Sequence, residues 1–169
     1  MNFVHSLLLM FTTFNLLAQS DQTPCPCCNV EYRQFDFWLG EWETTANGKA
    51  AGTNKILLLQ DSCIIQENWV SATPGYSGTS DNFYNPQDKV WHQTWVDNQG
   101  QSLLLAGSLE GRNMVLKSEE MSDQKGNPIY HRITWTPNAD GTVRQHWQSS
   151  TDGEGNWSTL FDGLYKKKG

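Results

Sequence analysis

Three histidines, His92, His131 and His146, fall in stretches that read as β-strand. A neutral imidazole ligates metal or haem iron and exchanges a proton near neutral pH. Strand alternation groups His92 with Val90, Thr94 and Val96, and sets Trp91 and Trp95 on the opposite face. It groups His131 with Ile129, Ile133 and Trp135, and His146 with Arg144 and Gln148. Two histidines facing one interior make a metal or haem site, or allow general acid–base work by a histidine with a carboxylate partner. Alternation leaves open which faces are inner. There is no nucleophile elbow, no phosphate-binding glycine loop and no His-Glu-x-x-His. Asp61, Asp88, Asp97, Asp140 and Asp152 fall in turns, where a short carboxylate bonds the local backbone.

Aromatic residues are the second chemical resource. Of eight tryptophans, Trp69, Trp91, Trp95, Trp135, Trp147 and Trp157 lie on expected strands. A cavity walled by such rings is the usual shape of a small-molecule site. The alternative is that the rings fill the interior.

Four cysteines are present: Cys25, Cys27, Cys28 and Cys63. A disulfide from the first three to Cys63 is the simplest structural reading. A thiolate zinc site ordinarily needs a second closely spaced pair, and none is present. An oxidising compartment is consistent with the start of the chain. Leu7 to Leu17 is mostly apolar and Ala18-Gln19-Ser20 offers small residues for cleavage, which makes residues 1–20 a secretory signal too short to span a bilayer. Met1 to Ser6 carries no Lys or Arg. The expected location is therefore secreted or periplasmic, with no membrane span and, since Pro24 precedes Cys25, no lipid anchor. A net charge of -6 argues against nucleic acid as a partner, and Lys166-Lys167-Lys168 reads as a solvated end.

These residues must be positioned by elements that the turn residues delimit. Residues 21–33 form a polar, cysteine-rich leader, and 34–169 a single domain. Within that domain, breaks such as Asn47-Gly48, Thr73-Pro74-Gly75, Asn85 to Asp88, Asp97 to Gly100 and Asp140-Gly141 recur regularly. They leave about ten strand-sized segments rich in Trp, Tyr, Thr, Val and Ile. The segments are Glu41–Ala46, Ala50–Leu59, Cys63–Ser71, Gly75–Tyr84, Lys89–Val96, Gln101–Ser108, Met114–Glu119, Ile129–Trp135, Thr142–Ser149 and Trp157–Lys166. No segment has a helical apolar period. The expected fold is all-β, an up-and-down antiparallel barrel. Closure removes the two exposed edges of a long meander, and more than eight strands leave room inside.

Phe35-Asp36-Phe37-Trp38-Leu39-Gly40-Glu41-Trp42 resembles the opening motif of a bacterial calycin-like family of unknown function, and Gly40-x-Trp42 resembles the first strand of lipocalins. Arg132 to Pro137, Asp140 to Trp147 and Phe161-Asp162-Gly163-x-Tyr165 resemble that family's closing strands. The resemblance implies a barrel and no particular reaction. It also implies that Trp42 closes the barrel floor under a basic side chain from a late strand, for which Arg144 and Arg132 are the candidates. Nitrobindins, small haem-binding barrels, share a tryptophan-glycine opening, but their extended glycine pattern is missing after Trp42.

The expectation is thus a barrel binding a small, partly apolar ligand, with Trp42, Trp69, Trp91, Trp95, Trp147, His92, His131, His146, Arg132 and Arg144 as candidate contacts and no resident cofactor. The alternatives are a haem- or metal-dependent enzyme using the histidines, and a filled barrel acting as a structural or interaction module.

Overall fold

The computed structural model describes residues 25–153 and 155–169. The expected signal segment and residues 21–24 lie outside the described residues. Eleven strands follow in chain order: β1 Gly40–Ala46, β2 Lys49–Leu59, β3 Ile64–Ser71, β4 Ser77–Asn85, β5 Val90–Asp97, β6 Ser102–Glu110, β7 Asn113–Lys117, β8 Met121–Ser122, β9 Pro128–Pro137, β10 Val143–Ser150 and β11 Ser158–Lys167. Each strand from β1 to β6 pairs antiparallel with the next; β9 then pairs with β7 and β10, and β11 pairs with β10 and β1. Ten strands therefore close into a barrel. β8 stands outside the ring as a two-residue partner of β9. The turn from Ser122 to Pro128 hides so short a strand from sequence reading.

The barrel wall follows from local chemistry. At the β1–β2 hairpin Asn47 and Gly48 both take positive φ (50° and 73°), the pair of conformations a two-residue turn needs to match strand twist. Alternation then sends Trp42 and Thr44 of β1 inward, Ile65, Glu67 and Trp69 of β3, and Trp91 and Gln93 of β5.

One end is sealed by an aromatic plug. Short 3₁₀ turns at Val30–Arg33 and Asp36–Trp38 carry the chain across this end. Phe35 is fully buried, with its ring 5.1 Å from both Trp38 and Trp135 and 5.7 Å from Trp91. Gly40 has φ +128°, open to glycine and rarely to other residues, and this bend lets the chain leave the plug and enter β1. Trp42 then donates its indole N–H to the carbonyl of Trp38 at 2.8 Å.

Two disulfides hold the leader over this end. Cys27 bonds Cys63 in the β2–β3 turn, and Cys25 bonds Cys28. Adjacent residues Cys27 and Cys28 thus serve different partners. Arg33 adds a hydrogen bond to the carbonyl of Ser62 in the same turn. The two crosslinks close loops of very different size, with sequence separations of 36 and 3. By loop-closure entropy the Cys27–Cys63 bond stabilises the fold by about 2 kcal/mol more than Cys25–Cys28. Urea unfolding of the two paired Cys→Ser variants measures that difference, and equal midpoints would contradict it. Both bonds fit an extracellular or periplasmic protein. No helix among the described residues is long and apolar enough to cross a membrane.

Candidate functional site

Toward the end opposite the plug the interior is not filled. A cavity of about 270 Å³ lies there, at the small end of the roughly 300–1,000 Å³ typical of ligand pockets. Its apolar wall is Trp69, Trp95, Trp147 and Phe161, with Leu103, Ile133 and Leu160 between them. Its polar groups are Glu67, Gln93, Gln145, Ser71, Tyr76 and Tyr165.

Glycines inside the strands make the room. A Cβ on Gly78 would stand 2.3 Å from the Trp95 indole, one on Gly52 2.7 Å from Trp69, and one on Gly163 2.3 Å from Phe161. Each ring therefore occupies space that a side chain at the glycine would have taken. Trp69 also meets Phe161 edge-on at 6.2 Å and Tyr165 at 6.4 Å.

A ladder of hydrogen-bonded polar side chains crosses the inner faces of β2 to β5. Asn54 donates to Glu67 Oε1 at 2.6 Å, and Ser80 to Glu67 Oε2 at 2.8 Å. Asn82 donates to Ser80 at 3.0 Å, and Gln93 to Asn82 at 2.7 Å. Between the neighbouring strands β11 and β10, the hydroxyl of Tyr165 donates to Gln145. At the mouth Tyr76 donates to Asp97 at 3.2 Å, while Asp97 also accepts the backbone N–H groups of Gln99 and Gln101 at 2.9 Å each.

Glu67 is the electrostatic centre of this arrangement. Burial pushes its carboxyl up to about 7, against the opposing pull of the bonds from Asn54 and Ser80. Burial, reinforced by the nearby Glu67, likewise raises Tyr165 well above the ordinary phenol range, and Tyr76 is raised by burial and then by Asp97. Among the described residues, no Lys, Arg or His lines the cavity. Asn54 suits both protonation states of Glu67: Nδ2 donates to the carboxylate, and the carboxamide turned over accepts from the acid through Oδ1. As oriented, Oδ1 is buried and has no hydrogen-bond partner among the described residues.

The residues expected from sequence separate into four groups. Trp69, Trp95 and Trp147 line the cavity. Trp42 and Trp91 belong to the plugged end, Trp91 donating to Gln34 at 3.2 Å. His131 faces inward and accepts the Trp147 indole N–H at 3.0 Å, and burial lowers its pKa. The other four stand on the outer face. His92 pairs with Asp88 at 2.7 Å and stacks on Phe83, and His146 meets Thr159 at 2.9 Å. Arg132 bonds Gln148 and lies 4.2 Å over Trp157, while Arg144 grips Asp162 with two 2.7 Å bonds. The three strand histidines are thus not brought together.

The cation over Trp42 is Lys167, its ammonium 5.5 Å from the ring centroid, rather than Arg144 or Arg132. Register is the cause. Lys167 lies directly opposite Trp42 in the β1–β11 pair, whereas Arg144 lies opposite Leu164 and Arg132 opposite Gln148.

Glu67, Gln93, Gln145, Tyr76 and Tyr165 are cavity residues that the sequence reading did not single out. A signal for the first was present: Glu67 shares its alternation with Ile65 and Trp69, so a carboxylate occupies a position in an apolar row. Mid-strand Gly52, Gly78 and Gly163 were a second, marking close approach of another group. In comparisons with known proteins, no family model matches the chain and no curated protein matches its sequence.

Proposed function

We propose that the protein is exported, with residues 1–20 as its signal, and acts as a barrel that binds a small, partly apolar molecule. The observation that carries this reading is the cavity of about 270 Å³, walled by three tryptophans and a phenylalanine and fitted with a few convergent polar groups. Apolar walls supply affinity, and the sparse polar groups orient the ligand. The volume suits a single ring system with a short substituent rather than a long acyl chain. Resemblance to calycin-like barrels points the same way.

Thermal denaturation with a panel of small neutral aromatics, indole and 2-naphthol among them, tests the reading. A ligand that binds only the native state at about 100 times its Kd adds about 2.7 kcal/mol of stability, so the melt shifts upward with concentration. Trp95→Ala, which strips one wall of the cavity, removes the shift. His92→Ala, on the outer face, leaves it intact. A panel that shifts nothing would instead favour a barrel acting as a structural or interaction module.

A further inference from the structure

The inner faces of the barrel around the cavity carry a buried carboxyl, that of Glu67. Glu67 is buried, yet the groups acting on its carboxyl are Asn54, Ser80 and the loss of water, with no cationic side chain among them. Each oxygen accepts one hydrogen bond, from Asn54 or from Ser80, which leaves acceptor capacity on both. Glu67 is itself one of the residues lining the cavity. The remaining wall is equally one-sided, because aromatic faces carry negative potential and attract cations.

Around Glu67, β2 presents Asn54, β4 Ser80 and β5 Gln93, all neutral; β10 presents Gln145 and β11 Tyr165. Tyr76, just before β4, is held neutral beside Asp97 of β5, so a second carboxylate stands at the mouth. On β9 the inward histidine, His131, spends Nδ1 accepting from Trp147, and its lowered pKa favours the neutral ring. Buried carboxylates in proteins are ordinarily paired with a cation, and among the described residues none stands against this one.

We propose that the ligand is a small organic amine, its ammonium group set against Glu67 and its apolar body held among the rings of Trp69, Trp95 and Phe161. This rests on the pocket reading above and adds the ligand's charge to it. The ammonium replaces the proton that Glu67 otherwise carries at acidic pH. It donates to the free acceptor positions of the carboxylate, and the nearby indole faces stabilise the same charge. Because the bound state needs the carboxylate, affinity for an amine rises as pH increases through about 7 and levels off above it. A neutral analogue of the same shape gains nothing from deprotonation.

Isothermal titration of the full-length mature protein with tryptamine and with indole-3-ethanol tests this, since the two differ only in ammonium against hydroxyl. At pH 8 the amine should bind at least about tenfold tighter than the alcohol, and the ratio should shrink by about tenfold at pH 5.5. Glu67→Gln, which keeps the shape, should weaken the amine by about tenfold or more at pH 8 while changing the alcohol by less than about threefold. The pH profile of the wild-type protein carries the test if that variant folds poorly. Equal affinities that do not change with pH would overturn the amine assignment and leave the pocket standing. Failure of tryptamine alone, with neutral aromatics still shifting the melt, has the same meaning. Failure of every compound would overturn both.

Discussion

Trp42→Ala lowers stability by about 3–5 kcal/mol, the usual cost of deleting a buried indole. Trp42 is 1% exposed, so the substitution opens a void in the plug rather than at the surface. It also leaves the carbonyl of Trp38 without its donor and Lys167 without the ring beneath it. For a domain of this size the melting temperature falls by roughly 10 °C. Trp42→Phe keeps most of the apolar contact and loses mainly the hydrogen bond, so its loss is about 1–2 kcal/mol. Thermal and urea unfolding of both variants measures this. A melt unchanged by Trp42→Ala would show that the plug does not hold the barrel closed.

The second large effect is a pH dependence contributed by one buried acid. The Glu67 carboxyl rises from 4.5 to about 7 on folding, so the folded state holds this proton more tightly than the unfolded chain. Stability from that proton is fully present below 4.5 and is lost as pH rises through 7. At about 1.4 kcal/mol per pH unit, the loss reaches about 3 kcal/mol by pH 8. Other carboxylates run the opposite way: Asp162 is held low by Arg144, and Asp140 by Thr142. They are common to the wild type and to Glu67→Gln, so comparing the two isolates Glu67. The variant should gain about 3 kcal/mol relative to wild type between pH 4 and pH 8. Parallel stability curves for the two proteins would mean that Glu67 reaches water and is not the group proposed to meet an amine.

Much of the architecture is legible in the residues themselves. Asn47-Gly48 requires a tight hairpin turn, and its neighbours along the chain repeat the same punctuation, so ten of the eleven strands follow from turn chemistry. Trp91 and His92 must point to opposite faces whichever one is inner. Phe35 to Trp42 announces a crowded aromatic entry to the first strand, and the plug is built from those residues. Local rules reach this far because turn geometry and alternation depend on a few adjacent residues.

The site depended on closure. Which face is inner is a property of the whole barrel, and it sends Trp69, Trp95 and Trp147 to the cavity while leaving His92, His146, Arg132 and Arg144 outside. Lys167 rather than Arg144 covers Trp42 because the register between the first strand and the last is set only when the ring closes. Polar residues on both faces of these strands blur the contrast that usually tells inside from outside, which hid Glu67, Asn82, Gln93 and Gln145 among apparent surface positions. The cysteine partners were undecided for a related reason, since Cys25, Cys27 and Cys28 are equivalent until the leader is laid over the β2–β3 turn. Sequence alone determined the strands and the aromatic supply. Tertiary structure decided that an uncompensated carboxyl would meet those rings in one cavity, because residues on separate strands become neighbours only when the barrel is whole.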